Sequence, residues 1–387
     1  MTEEPLKIFD IKNDCTGCGA CVSVCPKGCL SLEYDEEGFL FPKGDMSACI
    51  NCRKCESSCH VLSGSIKRNL EKPVWWNKSK PFMFINGDNG VRMKSTSGGA
   101  MSAFANHVIS EGGVLFTSRY NGRLKRLEYA STDQYPLEDF RKSRYIESNT
   151  NGIYTKVKAE LGKGRKVLFV GTPCQVSGLK QFLGKNADNE NLLTINFVCH
   201  GVPSNEIFHQ HVAKKYYKGE LSNLDFRYKD DHHGWHQMFL KLYNKDRDIT
   251  VAYGTDEFYR SFCANDFLRR SCYVCNYLFN NFADITIADF WGIKKYAPSK
   301  DDNKGVSLII LHNEKAESLL PIISNSGECT SLPYDSIEYL IAERKAYHLS
   351  KRFKGNKTDY LSFIKRQYMW TIRKFKVKQW IKAIIRK

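Results

Sequence analysis

Through the middle of the chain, short apolar runs alternate with longer stretches in which apolar residues recur every three or four positions. The runs "GGVLFTSRY" at 112–120, "KVLFVG" at 166–171, "LLTINFV" at 192–198, "ADITIADF" at 283–290 and "GVSLIIL" at 305–311 read as strands. Residues 100–110, 174–183 and 206–217 read as helices, the first with Met101, Ala105, Val108 and Ile109 along one apolar face. Strands alternating with helices predict an α/β module, with no strand order legible from the pattern alone. The longest apolar runs, such as 167–170 and 306–311, fall far short of the ~20 residues that span a bilayer. The opening MTEEPLKIFD has no apolar stretch of the secretory kind. A cytoplasmic location is expected, and thiols stay reduced there.

That expectation changes the meaning of the 15 cysteines, which become metal ligands or redox groups before they become disulfides. Cys15, Cys18, Cys21 and Cys25 follow C-x2-C-x2-C-x3-C with Pro26 next, the run that holds cuboidal iron clusters in bacterial ferredoxins. The spacing returns at Cys49, Cys52, Cys55 and Cys59, with His60 in place of the proline. Structural zinc sites instead pair two separated C-x2-C knuckles. In the ferredoxin pattern the fourth cysteine of each run crosses to the other cluster. Cys15, Cys18, Cys21 and Cys59 would therefore hold one [4Fe-4S] cluster, and Cys49, Cys52, Cys55 and Cys25 the other. Cys29 is left over as a bystander. Clusters store and pass single electrons without transforming an organic substrate, so the rest of the chain has to say where the electrons go.

Charge divides the chain the same way. Residues 1–60 carry six Lys/Arg against ten Asp/Glu, a net −4, so with +16 for the whole chain the remainder carries +20. An acidic partner, a phosphate-bearing cofactor or an anionic surface would suit it. No helix-turn-helix, zinc-finger or RNA-binding signature accompanies the charge, so nucleic acid is not expected. A phosphate site is sought where a glycine-rich turn opens a helix. Lys94, Ser95, Thr96, Ser97, Gly98 and Gly99 stand at such a turn before 100–110, with an ordinary serine cap as the plain alternative. No GxGxxG after a strand and no GxxxxGK[ST] occurs, which excludes the Rossmann and Walker fingerprints.

In "KVLFVGTPCQVSGLKQFLG" a strand ends at Gly171, Thr172 can cap, Pro173 suits the first helical position, and Cys174 falls in the first turn. A helix start stabilises a thiolate. Cys199 likewise follows a strand, before Gly201 and Pro203. Both fall at carboxyl ends of strands, the edge where open α/β sheets build their sites. Cys272 and Cys275 in "RRSCYVC" complete a set of four, the number one further cluster needs. A zinc site, or a nucleophilic Cys174 with His200, are the competing readings. Cys263 and Cys329 belong to no motif and read as core residues.

The ordered motifs "KSTSGGAMSAFA", "SRYIES", "VLFVGTPCQVSGLK", "FVCHGVPS", "RRSCYVC" and "ADITIADFWGI" resemble the coenzyme F-420 hydrogenase/dehydrogenase beta-subunit family with its fused dicluster ferredoxin domain. The resemblance runs from about residue 5 to 315. It implies FAD, bound through Lys94 to Gly99 with Arg144, Tyr145 and Asp289, and a third [4Fe-4S] cluster on Cys174, Cys199, Cys272 and Cys275. The chain departs from the family pattern at Ala288, where glycine is usual, and at Glu147, where glutamine is usual.

The expected architecture is an α+β ferredoxin-like dicluster domain at 1–64, a connector at 65–81, an α/β flavin-binding module at 82–355 and a basic helical tail at 356–387. Asp284 alternates with apolar neighbours as a residue satisfied at a strand end, and "DDHHGWHQ" at 230–237 reads as a solvated loop, with a proton-transfer or acceptor-stacking loop as the alternative. From Tyr360 to Lys387 nine Lys/Arg and no acid are interleaved with Trp370, Phe375, Trp380 and isoleucines. That is the pattern of an interfacial helix on an anionic membrane, with packing on the chain's own core as the alternative. The function expected is an oxidoreductase that joins iron clusters through FAD to an organic two-electron acceptor or donor, served by a ferredoxin or another electron-transfer protein. The alternative is an electron-transfer subunit with no organic substrate of its own.

Overall fold

The computed structural model describes residues 5–64, 78–216, 221–277 and 282–338, together with Met369, Arg373, Lys374, Lys376 and Val377. The connector lies outside the described residues up to position 77. The basic tail lies outside them too, apart from those five helical and exposed positions.

Fourteen strands are described. A hairpin of β1 (Leu30–Tyr34) and β2 (Leu40–Gly44) belongs to the cysteine-rich part. The large module supplies β3 (Lys80–Asn86), β4 (Val114–Asn121), β5 (Arg126–Ser131), β6 (Ser148–Asn149), β7 (Val167–Gly171) and β8 (Leu192–Phe197). It continues with β9 (Asn223–Tyr228), β10 (Phe239–Tyr243), β11 (Ile249–Ala252), β12 (Ile285–Asp289), β13 (Ser307–Leu311) and β14 (Gly327–Ser331). Lys80 and Pro81 thus open a strand rather than close a connector, because their strand pairs with β13 and β14 on both sides.

Nine strands form one mixed sheet in the order β14-β3-β13-β12-β8-β7-β4-β5-β6. Its centre, β12-β8-β7-β4, is parallel, while β13, β14 and the β4–β5 pair introduce antiparallel neighbours. β9, β10 and β11 form a separate antiparallel sheet inserted between β8 and β12. The central strands are buried on both faces, as parallel sheets require. Leu168 and Val170 of β7 pack with Phe84 and Phe104 on one face, and Val167 and Phe169 pack with Tyr154 and Leu179 on the other.

The cysteine-rich part is built into this module. Phe39, 1% exposed, sits in the core formed by the small sheet and the helices Asn205–Lys215 and Glu257–Cys263, and Ala20 is buried in the core beside β7. Backbone and side chain stitch the seam: Ser204 donates to Glu37 O at 2.6 Å, Asn205 N to Gly38 O at 3.1 Å, and Thr150 to Cys18 O at 2.8 Å. Gly38, at φ +82°, has no room for a Cβ against the Glu206 backbone, so the turn between β1 and β2 can seat itself on the helix start.

Candidate redox site

The two ferredoxin-type cysteine sets separate in space as the spacing demands. Cys25, Cys49, Cys52 and Cys55 line one small cavity together with Cys29, whose sulfur lies 3.4 Å from that of Cys25. Cys15, Cys18, Cys21 and Cys59 gather on the side facing the module, near enough for Cys18 and Cys59 to push up the pKa of Cys15 and, with Cys15 and Cys55, that of Cys21. Cys25 thus lies beside Cys49, Cys52 and Cys55, and Cys59 lies near Cys15 and Cys21. Burial is the main cause of the raised thiol pKa values, and metal coordination is what removes such protons.

Cys174, Cys199, Cys272 and Cys275 come together from three separate segments. Cys174 sits in the first turn of the helix Pro173–Leu183, where Thr172 and Gln175 form a capping box: Gln175 N donates to the Thr172 hydroxyl and Thr172 N to Gln175 Oε1 at 3.0 Å. Cys199 follows β8, the parallel neighbour of β7, so the two strands deliver their cysteines to the same sheet edge. Cys272 lies in the short helix Arg270–Tyr273, and the Val202 N–H points at its sulfur at 3.4 Å. Tyr277 N donates to Cys275 Sγ at 3.4 Å. The helix start does not yield a low-pKa nucleophile at Cys174. Burial first, then the charges of Cys199, Cys272 and Cys275, push its thiol well up.

The spacing bears on the metal. Tetrahedral zinc at about 2.3 Å from each sulfur places sulfurs roughly 3.8 Å apart. Among the described residues, the one group of three or more potential ligand atoms within 4.8 Å is His211, Asp256 and Glu257. There the carboxylate of Asp256 accepts from Tyr216 at 2.6 Å and caps the helix Glu257–Cys263, while Glu257 pairs with Lys215, so the group is structural.

A cavity of about 660 Å³ opens at the carboxyl edge of the sheet, within the size range of cofactor sites. Cys174 and Cys199 lie in its wall. At one end Ser95, Thr96, Ser97 and Gly99 face it from the turn that opens the helix Ala100–Ser110. Arg144, Tyr145 and Asp289 also line it. Two of the sequence candidates do not: Lys94 is exposed to solvent, and Gly98 presses on the strand backbones, where a Cβ would strike Phe84 O and Ser307 N. Gly98 N instead donates to the Ser307 hydroxyl at 3.0 Å, and Ser97 donates to Val306 O at 2.5 Å. A buried lysine, Lys229, ties down the carbonyls of Arg92 at 3.0 Å and Ser97 at 2.9 Å, fixing the turn from behind.

Several cavity residues carried no signal of their own. Arg227 pairs with Asp289, the two coming from different sheets. Trp291 stacks on the buried Trp235 at 4.5 Å and 6°, which corrects the solvated-loop expectation for 230–237. His236 of that loop lines the cavity and pairs with Asp301 at 2.7 Å. Cys263, expected as core, also reaches the wall, whereas Asp284 is satisfied by Thr194 N at 2.8 Å as a strand-end residue. Phe197 and Trp291 remain 38% and 37% exposed although both face the cavity. The Nε atoms of Arg144 and Arg227 are buried with no hydrogen-bond partner among the described residues. Partly exposed aromatic rings, orphaned guanidinium donors and a hydroxyl-rich turn fit a planar, phosphate-bearing group such as FAD.

Residues 14–62 match the family described as 4Fe-4S dicluster domain. A stretch of 75 residues is 38% identical to an uncharacterised ferredoxin of Methanocaldococcus jannaschii and takes in 96% of that protein. The N-terminal part is a dicluster ferredoxin domain. Behind this ferredoxin domain, residues 164–336 match the family described as the C terminus of the Coenzyme F420 hydrogenase/dehydrogenase beta subunit. The chain is 25% identical over 205 residues to the F subunit of F(420)H(2) dehydrogenase from Methanosarcina mazei, a match that covers 50% of this chain and only 56% of that one. It is 21% identical over 369 residues to an uncharacterised protein of Methanocaldococcus jannaschii, 88% of this chain and 94% of that one. A chain of the F420-reducing [NiFe] hydrogenase complex from Methanosarcina barkeri aligns at TM-score 0.47 and 15% identity over 70% of this chain and 89% of that chain. The chain is thus an iron–sulfur protein related to F420 hydrogenase and dehydrogenase subunits.

Proposed function

We propose that this protein is a cytoplasmic iron–sulfur flavoprotein oxidoreductase. The ferredoxin domain takes up or gives out single electrons, Cys174, Cys199, Cys272 and Cys275 hold a third [4Fe-4S] cluster, and FAD occupies the 660 Å³ cavity beside it. The observation that carries the reading is that Cys174 and Cys199 belong at once to the second cysteine set and to the cavity wall.

FAD, when bound, exchanges one electron at a time with iron and two with an organic molecule. The protein's own residues do the rest. Ser95, Thr96, Ser97 and Gly99 would hold the phosphates, with Lys229 keeping the turn in shape. Phe197 and Trp291 would cover the ring system, and the Arg227–Asp289 pair would orient what lies between them. The organic partner would enter through the cationic side that Arg141, Lys142 and Arg144 provide, so an anionic molecule is favoured.

A second reading has its own support. One named relative is itself a dehydrogenase subunit, and the outer cluster set has an open face: Cys52 is exposed, with Ile50 at 56% and Met46 at 49% exposure nearby. In this reading the chain delivers electrons to a partner enzyme.

An anaerobic absorption spectrum with iron, sulfide and flavin counts tests the first reading. Thr96→Asp, which adds a carboxylate to the phosphate end without disturbing the strand backbones, should then lower flavin content and leave iron unchanged. Purified protein that holds flavin but reduces no small acceptor from reduced ferredoxin favours the second reading. Equal flavin in Thr96→Asp and parent removes the turn from the binding site.

A further inference from the structure

Arg269 and Glu147 form an ion pair at 2.7 Å, with side chains 1% and 4% exposed, at the seam between the ferredoxin domain and the module. Arg269 donates to the carbonyl of Cys15 at 2.9 Å and to that of Leu40, while Glu147 accepts from Leu40 N at 2.7 Å. The pair lies against the cysteine loop itself. A Cβ on Gly17, which has φ +68°, would come within 2.7 Å of both the guanidinium and the carboxylate. Arg269 stands three residues before Cys272, so one buried cation adjoins the inner ferredoxin cysteines and the second cysteine set together. Its charge bears on Cys15 and Cys18 on one side and on Cys272 on the other.

We propose that the Arg269–Glu147 pair is a positioning element that sets the reduction potential of the cluster on Cys15, Cys18, Cys21 and Cys59, holding it above that of the outer cluster. The proposal needs only the dicluster domain for the inner cluster. It deepens the electron path proposed above, and rests on that path for the direction of flow toward Cys174 and Cys272.

Cluster potentials follow net charge, hydrogen bonding and solvent exposure. An electron added to the inner cluster meets a fixed cation in a medium of low dielectric constant, where the interaction is least screened. Glu147 offsets the cation only partly, because the guanidinium bonds to the Cys15 carbonyl directly and the carboxylate turns its other oxygen to Leu40 N. The cations in the outer cavity wall are differently placed: Lys27 is exposed, Arg53 is bonded to Glu56 at 3.2 Å, and Cys52 there is open to water. Electrons arriving at the outer face would collect on the inner cluster, near Tyr277, whose phenol feels the charges of Cys174, Cys18, Cys275 and Cys59 together.

The test is an EPR-monitored redox titration of the intact, iron-loaded protein. Glu147→Gln keeps size and the Leu40 contact while deleting the opposing charge. It should raise the reduced-to-oxidised ratio of the inner cluster at a fixed applied potential by about tenfold, equivalent to ~59 mV for one electron, with the outer cluster unmoved. Adding Arg269→Gln to Glu147→Gln should bring the ratio back below that of the single variant, and Arg269→Lys should stay near the parent. An unmoved inner signal in Glu147→Gln with parental iron content, or equal shifts in both clusters, overturns the proposal. If the double variant loses iron, Glu147→Gln alone decides. An inner-cluster shift with about eight irons per chain upholds this inference while removing the third cluster; about twelve irons with no shift does the reverse.

Discussion

Replacing Cys174 with Ala removes one of the four sulfurs that meet at the carboxyl edge of β7 and β8. If those sulfurs hold a cluster, the parent carries three clusters and about twelve irons per chain, and the variant about eight, since each cluster has four irons. The loss should be confined to one cluster for a structural reason. The inner ferredoxin set meets the helix Pro173–Leu183 through contacts of its own, His60 bonding Thr16 and Ser177 at 3.3 Å each and Gly178 lying against Cys18. None of these depends on the Cys174 sulfur. The fold itself should tolerate the change, because Gln175 and Thr172 keep the helix capped without it. Cys272→Ala, on a different segment, should give the same count. The assay is anaerobic iron and acid-labile sulfide, normalised to protein, with EPR of the dithionite-reduced state to count separate signals. A parent near eight irons that neither substitution lowers refutes the third cluster, and one zinc per chain released by either substitution would establish the metal as zinc.

Three further outcomes are expected. Gly178→Ala drives a methyl to 2.9 Å from the Cβ and Sγ of Cys18 and 3.1 Å from the Tyr154 hydroxyl, an overpacking that costs about 1–3 kcal/mol against a helix gain of ~1. It should destabilise the inner cluster selectively, and an unchanged rate of iron loss to a chelator would show that the helix yields instead. His312, held between Ser79 and Thr286 at 2.8 Å each, has its pKa lowered by burial to about 3, so the unfolded chain binds its proton first as pH falls below 6.5. Stability should be complete above pH 6.5 and about 2 kcal/mol lower at pH 5 on this account, and His312→Gln should flatten that slope in denaturant titrations. Deleting residues 360–387 should abolish co-sedimentation with anionic liposomes at low salt while sparing iron and flavin, since each basic residue near such a surface contributes about 1 kcal/mol. Cofactor loss on truncation would assign the tail to the fold.

Local pattern was enough for the parts governed by short-range rules. The spacing of Cys15 to Cys25 and of Cys49 to Cys59 was enough to mark a dicluster ferredoxin domain, because the ligand run is a local pattern. Thr172 and Pro173 announced a helix start, and the helix Ala100–Ser110 has the bounds its apolar face predicts, since capping and amphipathic periodicity act within a few residues. Tertiary structure decided what depends on distant backbone. Lys94 and Gly98 share a turn with Ser97, yet one meets water and the other two strand backbones, a difference created by β3 and β13 passing behind the turn. Trp235 left its polar neighbours for the core because Trp291, more than fifty positions away, supplied a ring to stack on. Above all, Glu147 and Arg269 are 122 residues apart in sequence, and only the docking of the cysteine loop between them makes that pair neighbours of iron ligands. Periodicity and capping are set by neighbouring residues, whereas a buried charge pair gains its meaning from what the rest of the fold brings to its side.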